Sequence, residues 1–410
     1  MWDAVIIGGG LSGLVTGISA AERGKRVLII TKGASSLNYA TGALDFGDVQ
    51  RLANTPKHPY TLLSNALIQK SFTYFKRLFP EYTGKWGQAT DVLTPFGEFR
   101  SASLAPRGFE ASRLKSAGRV LVIAPAGLKD FFPSLIIANL QRSLPMAVVT
   151  GLPVKPERFA PWLTAGKSIQ GVDYANFWDT AMGRQSLGQF FGRIEKEMKK
   201  EALSLAVVFP SLSARFCDTS TAAMQSSGSL PDCIQAEVSF PVVEMTAFPP
   251  TAAGRALATA LVHKFKDLGG ELLQGVEVTG ADMQSGECRR ILVQSKGKTI
   301  RISARHYVLA SGGTFSGGIE VDNRGAAEKV FGLPLYVPDD WTRTEFLGEQ
   351  PYAKVGVEVD KNLRPLRPNG QVAVNNVMVT GRMLAHWDPW LEKCGGGVSL
   401  ASGYLAGGLI

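Results

Sequence analysis

Three glycines near the start of the chain, Gly8, Gly10 and Gly13, are spaced as G-x-G-x-x-G. A β-branched run over residues 4–8 precedes them, and a helix is expected to follow over 11–23. Gly8 permits a tight turn, Gly10 lets backbone amides approach a pyrophosphate, and Gly13 with Gly17 lets helix and strand pack closely. The helix N-terminus adds partial positive charge toward the phosphates. Gly24 closes the helix and residues 27–31 read as a second buried strand, so the whole is one β-α-β unit. The acid that normally ends such a second strand and holds an adenosine ribose is missing. Thr31, Lys32 and Gly33 stand there instead, and Thr31 offers one hydrogen bond rather than a bidentate carboxylate. Residues 34–47 then form a small-residue loop in which Ser36 and Gly42 are placed to line a bound nucleotide.

Further glycine clusters end later segments. A buried strand over 306–310 runs into Ser311, Gly312 and Gly313. A strand over 374–380 ends at Gly381, and Cys394, Gly395, Gly396 and Gly397 open the last helix. Between the two ends lie aromatic-rich helices near 61–79 and a strand-turn stretch over 92–103. Strands are expected at 120–124, 146–150, 205–209 and 238–243, with helices at 131–142, 179–203 and 255–268. Strands at 271–278, 290–295 and 299–304 suggest a meander. The charged run 193–201 reads as a solvated helix face. The expected fold is α/β: a Rossmann-like domain from 1–54 and 251–410, with an inserted α/β cap over 55–250.

The chain has 410 residues, 45% hydrophobic and 19% charged, which suits a large core and excludes a small stapled scaffold. Its net charge of +9 fits anionic lipid, nucleic acid, an acidic partner or a phosphorylated substrate. Cys217, Cys233, Cys288 and Cys394 are far apart and form no C-x-x-C, so neither a disulfide framework nor a metal site is expected. No apolar run approaches the ~20 residues that cross a bilayer. No leader is expected, because the glycine motif begins so early.

Gly8–Gly24, Val308–Gly313 and Gly381–Gly397 together resemble flavoproteins of the succinate dehydrogenase and fumarate reductase superfamily. A closer likeness is carried by Leu93-Thr94-Pro95-Phe96-Gly97-Glu98-Phe99-Arg100, Phe248-Pro249-Pro250 with Gly254-Arg255, and Ser311 to Gly318. Gly356-Val357 with Leu363-Arg364-Pro365, and Asp388-Pro389 with Cys394-Gly395-Gly396-Gly397, add to it. In these strings the chain resembles the B-subunit family of anaerobic glycerol-3-phosphate dehydrogenases, in order, over nearly its whole length. The resemblance implies a flavoprotein oxidoreductase of glycerol catabolism and anaerobic respiration. It implies a heterotrimer completed by a catalytic A subunit with a membrane-anchoring iron–sulfur subunit, peripheral to the cytoplasmic face of the bacterial inner membrane. The complex would oxidise sn-glycerol 3-phosphate to dihydroxyacetone phosphate and pass electrons to quinone. The family implies FMN, whereas the glycine spacing suggests FAD.

Alcohol oxidation needs a base, and a phosphate dianion suits arginine. His386 is the candidate base, and Arg100, Arg255 and Arg382 are the candidate anion ligands. No Ser/His/Asp order or H-E-x-x-H motif supports a hydrolase or metal centre. Three readings stay open: the flavin subunit of that complex, a free-standing flavin oxidoreductase of a small acid, and a non-catalytic assembly subunit. Nucleic-acid binding has no reader motif behind it.

Overall fold

The computed structural model describes residues 1–198, 204–211, 235, 238–323 and 325–410. The end of the helix expected over 179–203, part of the charged run, Cys217 and Cys233 fall outside the described residues. The chain divides into two units, Met1–Ser36 with Leu44–Leu78 and Leu261–Ile410, and Leu37–Ala43 with Phe79–Ala260.

The first unit is built on a five-stranded parallel sheet. Its order is Glu271–Gln274, Val27–Thr31, Trp2–Ile7, Ala304–Leu309, Val377–Val379. Ala4–Ile7 and Val27–Ile30 are buried without alternation, as strands covered on both faces must be. Ile7 pairs with Ile30 on one side and Leu309 on the other. The strands therefore finish level, and Gly8, Gly312–Gly313 and Gly381 each follow a carboxyl end. Residues 271–278 depart from the expected meander. Glu271–Gln274 lies parallel beside Val27–Thr31, and Gly275, at φ +75°, turns the chain out before the antiparallel strands Glu277–Gln284, Glu287–Ser295 and Lys298–Ile302. Leu272 and Leu273 pair with Ile29 and Ile30, which gives this short run an apolar reason to join the larger sheet.

Every residue of the first helix, Leu11–Ala21, is buried. It packs against the last helix, Gly395–Leu409. Gly403 faces the Ser12 backbone and Gly407 faces Thr16 and Ser19, so the two helices run in the same direction with their N-termini toward the strand ends. Helix Asn65–Leu78 also packs on the last helix, with the Tyr74 and Tyr404 rings 4.7 Å apart. The first unit accordingly reaches Leu78, beyond residue 54 where the first segment of the Rossmann-like domain is expected to end.

The second unit holds a four-stranded parallel sheet in the order Val242–Met245, Leu205–Pro210, Arg119–Pro125, Val148–Val154. Alternate residues of Arg119–Pro125 supply two cores. Leu121 and Ile123 join Tyr174, Trp178 and Phe209. Val120 and Val122 join Ile136, Leu140 and Val208.

Gly403→Leu tests the helix pair. A Cβ there would lie against the Ser12 carbonyl and Cα, so a loss of about 1–3 kcal/mol is expected from overpacking. Gly408→Ala, whose nearest neighbour would be an Arg23 guanidinium nitrogen at 3.7 Å, should leave the melting temperature unchanged or higher. Thermal unfolding of the two variants measures the difference.

Candidate functional site

The carboxyl ends of the first unit's strands form a cradle. Gly8 has φ +121°, and any Cβ there would overlap the Ala310 carbonyl. Its N–H donates to Ile30 O at 2.8 Å. Gly13 sits against the Gly8 carbonyl, closing the turn from behind. Gly10 is different: a Cβ would meet only Ser36 Oγ, at 3.8 Å. Gly10 caps the first helix, and no side chain caps its amides. Open space thus stands before uncapped N–H groups, the arrangement that takes a pyrophosphate. Thr31 donates its hydroxyl to Gly33 O at 2.9 Å, and Lys32 pairs with Glu277 at 2.9 Å.

Across the sheet, Gly312 has φ +80° and faces Ser316, while Gly313 lies on the stem of Arg382. Gly381 has φ +63°, faces Ser12, and donates its N–H to Ser402 Oγ at 2.9 Å. The hydroxyls of Ser311 and Thr380 and the Nη1 of Arg382 are buried without a hydrogen-bond partner among the described residues. Arg382 donates from Nη2 to Ala353 O, and its guanidinium lies 5.4 Å from the Trp387 ring centre. Burial pulls its pKa down, against the raising effect of Asp388. A half-buried cation with a buried donor, and two buried hydroxyls, all without partners among the described residues, fit a polar, anionic ligand in this cradle.

The last helix begins with Cys394 as N-cap and no side-chain cap. Gly395 has only Pro389 nearby, Gly396 lies on Leu44 and Asp45, and Gly397 lies against Tyr60 and Phe46. Beneath it, ligand atoms of His58, Glu392 and Cys394 all lie within 4.8 Å of one another, a spacing a metal could use. The hydrogen bonds argue for another role. His58 Nδ1 accepts from the Tyr60 N–H at 3.0 Å, which puts the ring proton of the neutral imidazole on Nε2, facing Glu392 Oε2 at 3.3 Å. That tautomer offers no lone pair at Nε2, and the trio instead ties helix Pro59–Leu62 to the loop before the last helix. Burial and the Glu392 carboxylate also push the Cys394 thiol far up, which disfavours the thiolate a metal would take.

His386 has φ +67° and stacks on Tyr336 with ring centres 4.0 Å apart. Its Nε2 lies 2.7 Å from Glu358 Oε1, which also takes Lys57 Nζ at 3.1 Å. Gly42, Arg100 and Arg255 belong to the second unit. Gly42 sits on Ala253, and Arg100 donates from Nη2 to Thr41 Oγ1 at 3.5 Å. Arg255 donates from Nη2 to Asn176 Oδ1 at 3.1 Å. The loop 37–43 rests on the start of helix Ala252–Asp267, where Thr251 bonds Ala40 O and caps Gly254. His58, Glu358 and Glu392 were not singled out from the sequence. His58 and Cys394 stand 336 residues apart, and even the 28 between Glu358 and His386 follow no period that would mark them.

The His386 pair predicts a pH dependence. Burial lowers the His386 pKa below 6.5, and Glu358 pulls it partly back. Burial raises Glu358, but hydrogen bonds from His386 and Lys57 bring it below 4.5. Both folded values are depressed, so their contribution to stability is full above pH 6.5 and falls as pH drops through each folded value. In Glu358→Gln the ring-proton titration of His386 should move to still lower pH; a shift upward would contradict the pairing.

Residues 3–398 match the model of the FAD binding domain family. The B subunit of anaerobic glycerol-3-phosphate dehydrogenase from Yersinia pestis bv. Antiqua (strain Antiqua) is 28% identical over 435 residues, covering 98% of this chain and 96% of that protein. The protein of the same name from Pectobacterium atrosepticum is 29% identical, with 98% and 96% covered. That from Vibrio cholerae serotype O1 (strain ATCC 39315 / El Tor Inaba N16961) is 26% identical, with 99% and 95% covered. Among solved structures, 3-ketosteroid-delta4-(5alpha)-dehydrogenase from Rhodococcus jostii RHA1 aligns with a TM-score of 0.35 at 12% identity, over 99% of this chain and 95% of that one. No helix among the described residues is long and apolar enough to cross a membrane. With the family match running from the first strand into the first turn of the last helix, the chain belongs to the FAD binding domain family.

Proposed function

We propose that this chain is the flavin-binding B subunit of an anaerobic glycerol-3-phosphate dehydrogenase. The observation that carries the reading is the end-to-end similarity to proteins of that name, which leaves almost no part of either chain unmatched. The cradle of the first unit supports it. Gly10, the amides of the first helix and Ser36 hold the pyrophosphate. Gly312 and Gly313 flank the nucleotide with Arg382, and Gly395 to Gly397 bring the last helix's N-terminus to the opposite end. Thr31 and Lys32 stand at the ribose in place of an acid. FAD, the flavin of the family, would supply the two-electron acceptor for alcohol oxidation when held there.

His386 is tied through Nε2 to Glu358 and packed on Tyr336, an anchored ring, and we assign this chain the cofactor-holding role. Proton abstraction from sn-glycerol 3-phosphate then falls to the catalytic A subunit. An iron–sulfur subunit would carry the electrons toward quinone at the cytoplasmic face of the inner membrane. The net charge of +9 suits an acidic partner or an anionic lipid surface there.

Two measurements test this. The purified chain should be yellow, and acid release followed by chromatography should give FAD; a colourless, folded chain that cannot be reconstituted would leave it a role in assembly alone. Gly10→Val should lose most of the flavin with the fold retained, because the added side chain fills open space before the amides and strikes little protein. Unchanged flavin absorbance in that variant would remove the cradle reading. Co-expression with the catalytic partner should yield a co-purifying pair.

A further inference from the structure

The second unit has a ligand crevice of its own. Chain order in its sheet reverses beside Arg119–Pro125. The next strand, Val148–Val154, is added on one side of it, and Leu205–Pro210 followed by Val242–Met245 on the other. The switch in strand order thus falls between Arg119–Pro125 and Leu205–Pro210. Open parallel sheets bind ligands in such a crevice, at the carboxyl ends where the strand order switches. A cavity of about 340 Å³ lies there, within the size range of small-molecule sites. Lys129 lines it after Arg119–Pro125, Ser211 directly after Leu205–Pro210, and Thr246–Ala252 with Arg255 after Val242–Met245.

Three side chains of this lining keep donors without partners among the described residues. Ser211 is only 2% exposed, yet its Oγ has no hydrogen-bond partner among the described residues. Lys129 has no ion-pair partner among them either. Arg255 uses Nη2 on Asn176 and keeps the rest of its fork for a ligand. It stands in the first turn of Ala252–Asp267, so the helix N-terminus at the cavity adds to the same positive field. Asp130, at φ +60°, is the acidic group of the lining, and the two cations outweigh it. Phe131 and Phe248 give the cavity apolar walls.

We propose that this crevice is a binding site for a small phosphomonoester, with Lys129 and Arg255 on the phosphate oxygens and Ser211 donating its hydroxyl. Two cations and a helix end match a dianion with three equivalent acceptors better than a single-charged carboxylate. The short apolar walls suit a carbon body of a few atoms. The inference stands on the second unit's geometry and does not need the flavin reading of the first.

Calorimetric titration of the full chain with inorganic phosphate, sn-glycerol 3-phosphate, acetate and glycerol tests it. Phosphate and the ester should bind, the ester more tightly, while acetate and glycerol should not. Lys129→Gln and Arg255→Gln should each weaken the ester by roughly tenfold or more. Ser211→Ala should weaken it too, while leaving the ligand-free melting temperature unchanged or raised, because the hydroxyl meets no partner among the described residues. Absence of anion binding, equal binding of acetate, or unchanged affinity in all three variants would overturn the proposal. The visible spectrum of the same samples separates loss of this site from loss of flavin.

Discussion

Everything in the first unit depends on how closely backbone can approach backbone at the ends of its parallel strands. Gly8 presses on the Ala310 carbonyl and Gly13 presses on Gly8, so two strands and a helix meet with no side chain between them. The same closeness recurs where Gly403 and Gly407 lie on the first helix. Close approach draws two helix N-termini to one side of the sheet, where their fields add. The glycines that do not touch protein, Gly10 above all, leave the space those fields act on.

That constraint explains how polar groups are distributed around the cradle. Thr31 turns its hydroxyl back to Gly33, and Lys32 is met by Glu277 from the neighbouring antiparallel sheet. Deeper in, Ser311, Thr380 and Arg382 keep buried atoms without partners among the described residues. Burying polar groups unpaired is costly, and proteins concentrate that cost at sites where a ligand relieves it. By contrast, His58 and His386 each give their Nε2 to a carboxylate and hold loops in place. The two histidines that look chemically richest are those most fully engaged in structure.

Much of this was legible in the sequence where the signal was local. Val27–Thr31, the first helix and the glycine clusters at strand ends announce themselves through spacing and β-branched runs. The short strands of the second unit were legible as strands, since Val120–Ala124 and Leu205–Phe209 are apolar runs with buried centres. Their order was not, because nothing in a run of valines says which neighbour it takes. Leu272 and Leu273 read as part of a meander for the same reason, and only pairing with Ile29 and Ile30 reveals their sheet. The polar pairs were illegible in principle. His58 with Glu392, and His386 with Glu358, join residues through contacts that leave no period in the chain.

The pairing of the first and last helices has a consequence for how the protein comes into being. Ser12 emerges early in synthesis, but the glycine face that packs on it belongs to Gly395–Leu409, made almost a full chain later. Until that helix exists, the apolar, fully buried Leu11–Ala21 lacks its cover and the cradle at the strand ends lacks one of its walls. A ribosome-bound chain short of Gly395 would therefore expose one apolar face of Leu11–Ala21.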